Sequence, residues 1–202
     1  MNIGIYGGSF DPIHFGHINL AIQLKEYHHL DEVWFCPAYS SPFKLSHTTE
    51  SATHRLNMVA LAIETIPGFS VTDIEILREG PSYTIDTVRS FHKHYLGSNK
   101  KFFLMIGNDA LSSLHLWKEI DELIELAPLL IGNRILSAPS FSGTPALQRA
   151  IKKGITPSSI MEISASFIRK RLKNFQYCAH LVPAKVLDYI YKNQLYSIEH
   201  ES

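Results

Sequence analysis

A short segment near the start of the chain combines glycines, a serine and two histidines. It runs from Gly7 to His17 and reads GGSFDPIHFGH. The glycines let the backbone approach a ligand closely, and Ser9 offers a hydroxyl group. His14 and His17 stand three residues apart, so both imidazole rings can face one side. These groups predict a site for an anion, and a phosphate chain is the ligand that suits them best.

Two other interpretations of the histidine pair stay open. His-x-x-His spacing also occurs in metal sites, but no third Cys, Asp or Glu stands at a convincing spacing, although Asp11 is near. We therefore predict no metal ligands in the protein itself. His14 and His17 could also cap a helix without touching a ligand, although the double glycine that precedes them favours a ligand site.

The elements around this segment must place it at the end of a strand. Asn2 to Gly7 is short and apolar, which is typical of a buried parallel strand. Apolar residues then recur at helical spacing from Ile18 to about Tyr27. A strand, a glycine-containing loop and a helix open a βαβ unit, and open α/β sheets bind their ligands at the carboxyl ends of strands.

The rest of the chain continues this alternation of strands and helices. Short apolar runs predict strands at Glu32 to Pro37, Lys101 to Gly107, Pro128 to Gly132 and Ile160 to Ile163. Apolar residues at helical spacing predict helices at Leu56 to Ile63, Thr84 to Tyr95 and Val186 to Tyr191. We expect Phe69 to Ile76 to be extended, and Asn133 to Pro157, rich in Ser, Pro and Gly, to be a long surface connection.

This alternation predicts a doubly wound α/β fold with a mostly parallel sheet. With 202 residues, of which 45% are hydrophobic, the chain has enough material for the core of a single domain over residues 1–202. Residues 163–196 are expected to form a small C-terminal helical part. Cys36 and Cys178 are far apart in the sequence, so they predict buried thiols rather than a disulfide framework or a zinc site.

Charge and hydropathy exclude several classes of partner. Nineteen Lys and Arg residues balance nineteen Asp and Glu residues, so we expect no binding to nucleic acid through a general positive field. No apolar run approaches the roughly 18 residues of a membrane span, and no secretion signal is recognisable. We expect no membrane partner and a cytoplasmic location. The oligomeric state stays open, and a homo-oligomer is compatible with the sequence.

The segment from Gly7 to His17 resembles the His-x-Gly-His signature of a superfamily of nucleotidyltransferases. Its sequence is similar to the corresponding segment of bacterial nicotinate-nucleotide adenylyltransferases. These enzymes join nicotinate mononucleotide to ATP and form deamido-NAD and pyrophosphate. In the related pantetheine-phosphate adenylyltransferases a threonine usually replaces the first histidine, so His14 favours the pyridine-nucleotide branch. The resemblance extends over nearly the whole chain and implies a Rossmann-like nucleotidyltransferase fold.

The resemblance also implies roles for individual residues. The implied catalytic residues are His14, His17, Lys44 and Arg169. The implied ATP-binding residues are Gly7, Gly8, Ser9, Phe10, Gly16, His17, Gly107, Asp109, Ile163, Ser166 and Arg169. The implied nicotinate-nucleotide-binding residues are Ser9, Lys44, Tyr83, Thr84, Asp109 and Trp117. Magnesium, carried with ATP, is the implied cofactor.

The chemistry of several of these residues agrees with the implied roles. Tyr83 and Thr84 would lie at the start of a helix, where N–H groups and a hydroxyl can receive a carboxylate. Asp109, at a strand end, could accept hydrogen bonds from ribose hydroxyls, and Trp117 could face a pyridine ring. Without the resemblance, a helix cap at Asp109 and core packing of Trp117 explain the same residues nearly as well.

A second signature lies near the end of the chain. Ile163 to Arg169, reading ISASFIR, resembles the family pattern Ile-Ser-Ser-Thr-x-Ile-Arg. Ser164 or Ser166 can cap a helix with Arg169 one turn inside it, so hydroxyl, helix N-terminus and guanidinium can converge on one phosphate. Ala165 lacks the hydroxyl that relatives have here. Another departure follows Arg134, where relatives usually continue with Pro-Gly, so the role of Arg134 stays open.

The resemblance predicts attack of a substrate 5′-phosphate on the α-phosphorus of ATP. An enzyme acting on nicotinamide mononucleotide or another phosphate monoester would share these motifs. A non-catalytic nucleotide sensor on the same scaffold would bind ATP without releasing pyrophosphate. A metal hydrolase is the third alternative.

Overall fold

The computed structural model describes residues 1–42, 50–133, 142–159 and 161–196. Six strands are formed, at Asn2–Gly8 (β1), Glu32–Pro37 (β2), Phe69–Val71 (β3), Lys101–Gly107 (β4), Leu129–Asn133 (β5) and Ile155–Pro157 (β6). They form one sheet in the order β3-β2-β1-β4-β5-β6, and every pair of neighbours is parallel. The predicted parallel α/β sheet is confirmed.

Helices connect these strands and cover the sheet. The helices are Phe15–Tyr27 (α1), Ala52–Ile63 (α2), Ile74–Arg78 (α3), Thr84–His94 (α4), Ile120–Leu126 (α5), Pro145–Gly154 (α6), Ala165–Lys173 (α7) and Ala184–Lys192 (α8). Two short 3₁₀ helices, Asn108–Ala110 and Leu114–Leu116, follow β4. The predicted helices that begin near residues 18, 56, 84 and 186 are therefore confirmed.

Two buried clusters lie on opposite faces of the sheet, because strand side chains alternate between its faces. Ile3 and Ile5 of β1 pack in the cluster that includes residues of α4, α5 and α6. Tyr6 packs in the other cluster, with residues of α1, α2, α7 and α8. Helices on both faces make the sheet doubly wound, as predicted.

The C-terminal helices share the core of the first helices. Ile168 of α7 and Val186 of α8 lie fully buried in the cluster that contains Ile18 of α1 and Met58 of α2. This packing brings the second signature, which precedes and opens α7, to the sheet end where β1 stops. The sheet order reverses between β1 and β4, and such a switch point opens a crevice at the carboxyl ends of the strands.

Three predictions along the chain are wrong. Phe69 to Ile76 is extended only as far as Val71, because Ile74 begins α3, where the Leu77 N–H donates to the Asp73 carbonyl at 2.8 Å. The expected strand at Ile160 to Ile163 is absent from residues 161–163, which follow the last strand of the sheet rather than forming it.

The third error concerns Asn133 to Pro157, which is more than a surface connection. Thr144 caps α6 by accepting a hydrogen bond from the Leu147 N–H at 3.2 Å, and Pro145 occupies a first-turn position that needs no N–H. Leu147 and Ile151 then bury one apolar face. The segment as a whole is polar, so its composition alone does not indicate a helix. The strand β6 follows α6 directly.

The structure also bears on the predictions for the two thiols and for membrane-spanning segments. Cys36 and Cys178 are both free and buried, which confirms the expectation for them. Within the described ranges, the helices are too short or too polar for any of them to cross a bilayer.

Candidate active site

Two adjoining cavities open at the carboxyl ends of β1 and β4. The larger has a volume of about 740 Å³ and the smaller of about 330 Å³. Seven residues line both cavities: Gly7, Gly8, Ser9, Ile106, Asp109, Ala110 and Trp117. The cavities therefore meet at the turn that ends β1, where two ligands could bring reacting groups together.

Two glycines of the first signature differ in their surroundings. A Cβ added at Gly7 would meet no atom within 4 Å, so the backbone there faces open space. A Cβ at Gly16 would lie 3.0 Å from Nδ1 of His14 and 3.2 Å from the carbonyl oxygen of Met161. Glycine at position 16 therefore lets the His14 ring lie against the start of α1.

The two signature histidines stack on each other at the start of α1. Their ring centroids are 3.7 Å apart, with 22° between the ring planes. The backbone N–H of His14 donates to Nδ1 of His17 at 3.3 Å, so Nδ1 is the acceptor and Nε2 is the ring nitrogen that can act as a donor. The His17 ring also packs edge-on against Phe10, 5.1 Å between centroids. Both histidines line the larger cavity.

His14 is uncharged at neutral pH. Only 4% of the residue is exposed, and this loss of water lowers its pKa from 6.5 to about 4. Among the described residues, Nδ1 of His14 has no hydrogen-bond partner. The neutral ring is compatible with stacking on His17 and can still donate one N–H to a ligand.

Arg169 is held in place from the first signature. Its Nη1 donates to the carbonyl oxygen of Asp11 at 2.6 Å and lies 3.5 Å from the Asp11 carboxylate. Its Nη2 donates to Oγ of Ser166 at 3.3 Å. Ser164, rather than Ser166, caps α7 by accepting from the Phe167 N–H at 3.2 Å. Guanidinium, hydroxyl and helix N-terminus thus converge on the larger cavity.

The buried carboxylate of Asp11 connects three parts of the chain. Its Oδ1 accepts a hydrogen bond from the Tyr196 hydroxyl at 2.8 Å and a longer one from the Glu50 N–H at 3.3 Å. The Tyr196 N–H in turn donates to the Glu50 carboxylate at 2.9 Å. Burial, with the Asp11 charge beside it, raises the pKa of Tyr196, so its hydroxyl stays protonated and donates.

Arg55 joins the first signature to the loop after β2 and to the segment before α2. Although only 2% exposed, it donates to the carbonyl oxygens of Ser9 at 2.7 Å, Tyr39 at 2.9 Å and Glu50 at 3.0 Å. Burial lowers the pKa of Arg55, while the nearby charge of Asp11 opposes that shift. The guanidinium thereby fixes the turn after β1 relative to the loop after β2.

The smaller cavity is lined from both ends by aromatic and polar groups. Tyr83 and Thr84 lie at the start of α4, and half-buried Trp117 follows the second 3₁₀ helix. The Tyr39 N–H donates to Oγ of Ser82 at 2.9 Å, which ties this wall to the loop after β2.

The structure brings the predicted site residues of the described ranges together. All eleven predicted ATP-binding residues line the larger cavity, and so does His14. Of the predicted nicotinate-nucleotide-binding residues, the smaller cavity is lined by Ser9, Tyr83, Thr84, Asp109 and Trp117. Lys44 and Arg134 lie outside the described residues. The helix-cap interpretation of Asp109 is wrong, because Gly107 precedes the 3₁₀ helix and no side chain caps it.

Sequence analysis did not single out Arg55, Glu75, Lys118 or Tyr196. Glu75 and Lys118 line the smaller cavity, whereas Arg55 and Tyr196 act beneath the first signature. Only Lys118 had a local signal, because it directly follows Trp117. In the described ranges, no three His, Cys, Asp or Glu side chains are grouped so that they could hold a metal ion.

Comparison with known proteins agrees with this geometry. The sequence pattern of the cytidylyltransferase-like family matches residues 5–171. The chain belongs to the cytidylyltransferase-like family. A Bacillus subtilis relative named nicotinate-nucleotide adenylyltransferase is 36% identical to this family member over 197 residues, which cover 96% of this chain and 97% of the relative. A Dehalococcoides mccartyi relative, named a probable nicotinate-nucleotide adenylyltransferase, is 41% identical over 97% of both chains.

A solved structure shares the fold of this cytidylyltransferase-like chain. Plasmodium falciparum nicotinic acid mononucleotide adenylyltransferase, solved in complex with NaAD, superposes with a TM-score of 0.75 and 24% identity, covering 96% of this chain and 97% of its own. The curated relatives confirm the resemblance to nicotinate-nucleotide adenylyltransferases that the motifs predict.

Proposed function

We propose that the chain transfers the adenylyl group of ATP to nicotinate mononucleotide, giving deamido-NAD and pyrophosphate. The observation that carries this proposal is the meeting of two cavities at the turn ending β1, with both signatures beside the larger one. Adenylyl transfer requires two nucleotides whose phosphates meet, and this arrangement provides a compartment for each. The names of the curated relatives support the same reaction.

ATP is proposed to occupy the larger cavity. The helices α1, with 13 residues, and α7, with 9 residues, both begin at this cavity. The unpaired N–H groups of a helix N-terminus favour phosphate. The smaller cavity is proposed to hold the pyridine ring, with Trp117 as the aromatic partner and the start of α4 near its carboxylate. Asp109 lines both cavities and is positioned to accept hydrogen bonds from ribose hydroxyls.

The reaction forms a bond between a 5′-phosphate oxygen of the mononucleotide and the α-phosphorus of ATP. The bond from that phosphorus to the oxygen that bridges the α- and β-phosphates of ATP breaks, and pyrophosphate leaves with the electron pair. A phosphate monoester has its second pKa near ~6, so the nucleophile is already largely dianionic at neutral pH. No general base is needed, and the site must mainly position the phosphates and stabilise charge.

The signature residues are proposed to supply these interactions. Neutral His14 contributes an N–H rather than a positive charge, because its pKa is about 4. His17 and Ser166 contribute further polar groups, and Arg169 contributes the positive charge. Because Asp11 and Ser166 hold two nitrogens of the guanidinium, its remaining N–H groups are oriented before ATP binds. Lys44, a catalytic residue that the resemblance implies, is proposed to add a second positive charge.

Magnesium is proposed to arrive with ATP. Mg²⁺ keeps several waters and often binds through substrate phosphates plus few carboxylates, and it would neutralise charge on the leaving pyrophosphate. The described residues around the larger cavity hold no carboxylate cluster, which agrees with an ion carried by the nucleotide. We further propose that residues 1–202 act as one domain, without nucleic-acid or membrane partners and with a possible homo-oligomeric assembly.

The test is pyrophosphate release from ATP and Mg²⁺, with nicotinate mononucleotide and nicotinamide mononucleotide offered separately. We expect release that depends on added Mg²⁺ and is faster with the acid. Faster release with the amide would keep the reaction and overturn the substrate. Binding of ATP without release in either reaction would support the nucleotide sensor, and release that persists after chelation without Mg²⁺ would support the metal hydrolase.

A further inference from the structure

We infer that Lys118 sets the preference of this chain for a pyridine ring that carries a carboxylate over one that carries an amide. This inference rests on the proposed function, because it concerns the same mononucleotide in the smaller cavity. Lys118 belongs to neither signature and directly follows Trp117, the proposed aromatic partner of the ring.

Contacts place the Lys118 ammonium beside the start of α4. Its Nζ lies 4.8 Å from the ring centroid of Tyr83, the residue that precedes α4, and 3.2 Å from Oδ2 of Asp86 in the first turn. The side chain is 41% exposed, so the ammonium lies at the cavity wall within reach of a ligand, although it is paired with Asp86. The positive end of the α4 dipole and the ammonium therefore occupy the same corner.

The other described charged groups that line the smaller cavity are acidic, so the charge of Lys118 is needed to favour an anionic ring substituent. Among the described residues lining the smaller cavity, Lys118 is the sole cation, while Glu75 and Asp109 are acidic. Glu75 is buried and accepts a hydrogen bond from Oγ1 of Thr87 at 2.7 Å, so its carboxyl group is held in place. A wall with two acidic groups disfavours an anionic ring substituent unless a cation offsets them, and Lys118 is placed to do so.

The nearby carboxylates compete with the ligand for this ammonium. Besides Asp86, the Glu119 carboxylate lies 3.9 Å from Nζ. Asp86 also approaches Arg89, at 3.8 Å. Removing the negative charge of Asp86 should therefore release the ammonium toward the ligand and strengthen the preference for the acid. Loss of the Lys118 charge should weaken the preference for the acid, whereas loss of the Asp86 charge should strengthen it. Opposite effects of these two substitutions distinguish a direct electrostatic role of Lys118 from a structural one.

Because the ring lies away from the reacting phosphates, the interaction is the same in the ground state and in the transition state. Its loss should appear mainly in KM for the acid and little in kcat. An exposed charge is also screened by salt, so the acid preference of the wild type should fall as the NaCl concentration rises from about 0.05 M to about 0.5 M.

The test compares Lys118→Met with the wild type, using the ratio of kcat/KM for the acid to kcat/KM for the amide. We expect this ratio to fall about tenfold, through KM for the acid, and to lose most of its dependence on salt. Asp86→Asn should raise the ratio. Lys185→Met is the matched control, because Lys185 pairs with Glu64 on the surface of α8 and α2, outside both cavities.

Direct binding makes the test independent of turnover. Calorimetric titration with each mononucleotide should show weaker binding of the acid to Lys118→Met by a similar factor. An acid-to-amide affinity ratio that equals the wild-type ratio in Lys118→Met would overturn the inference, whether or not the protein releases pyrophosphate. A lack of pyrophosphate release in the wild type, in contrast, would overturn the proposed function alone.

Discussion

The two cavities differ in how their lining residues reach them. The larger cavity takes two histidines, an arginine and three serines from two short continuous segments, Gly7 to His17 and Ile163 to Arg169. The smaller cavity takes its charged and aromatic groups from separate places along the chain, including Glu75, Tyr83 and Lys118. Phosphate can be bound by the first N–H groups of a helix and a few adjacent side chains, so one motif suffices.

A planar ring with one substituent must be contacted by side chains from several directions, and only packing of distant segments brings such side chains together. Substitutions in the two cavities should therefore have different effects on the reaction. Changes in the larger cavity should reduce the reaction with every mononucleotide, because all of them use the same ATP. Changes in the smaller cavity should discriminate between mononucleotides, as proposed for Lys118.

The largest effect is expected for His17→Ala. The ring of His17 lines the larger cavity and is half-buried, so its removal takes away a group that faces the phosphates more than it opens the core. We expect kcat to fall by roughly 100-fold to 1000-fold, by the same factor for acid and amide, while the free energy of unfolding changes by less than about 2 kcal/mol. Pyrophosphate release and urea unfolding measure the two quantities.

Exposed His115, which lines neither cavity, provides the control. His115→Ala should leave kcat as it is. Near-normal turnover in a folded His17→Ala protein would remove the assignment of the first signature to catalysis.

The second effect concerns pH and His14. Its pKa is 6.5 when solvated and about 4 in the folded protein, so the unfolded chain takes up the proton first as the pH falls. The contribution of uncharged His14 to the free energy of unfolding is therefore complete above pH 6.5 and is lost between pH 6.5 and pH 4. It amounts to about 3 kcal/mol. Urea unfolding of the wild type and of His14→Gln across this range should show the difference, since the other titrating groups are common to both.

Parallel pH dependences of the two proteins would mean that the pKa of His14 is the same in the folded and the unfolded protein. The stacked pair would then take up a positive charge below pH 6.5, and His14 would no longer stay neutral across this range.

The smallest effect is expected for Tyr196→Phe. Without its hydroxyl, Oδ1 of Asp11 keeps only the long hydrogen bond from Glu50, so the carboxylate should draw Arg169 away from ATP. We expect a loss of about 1–2 kcal/mol in the free energy of unfolding and a severalfold rise in KM for ATP. KM for the mononucleotide should stay constant, because Asp11 and Arg169 line only the larger cavity.

Tyr191→Phe is a matched control, because Tyr191 is an exposed tyrosine on α8. Equal rises of both KM values in Tyr196→Phe would show that the Asp11 network supports the whole scaffold rather than the larger cavity.

Much of the fold could be predicted because its strands are short apolar runs and its helices have apolar stripes. Lys101–Gly107 and Ala184–Lys192 are clear examples. Pro145–Gly154 was missed because start signals at Thr144 and Pro145 are local, whereas the prediction relied on overall composition. The site residues within the signatures could be expected because the family resemblance rests on two short, continuous motifs. Arg55 and Tyr196 could not be, because their partners are distant in sequence and become neighbours only after folding.

The hydrogen bond between Tyr196 and Asp11 also has a consequence for protein synthesis. The ribosome adds Asp11 to the chain 158 residues before Arg169 and 185 residues before Tyr196. Until α7 and α8 leave the exit tunnel, the apolar face that they cover stays in water and the guanidinium is absent. A nascent chain therefore cannot assemble the site in stages, and the same dependence makes activity a sensitive report of C-terminal truncation.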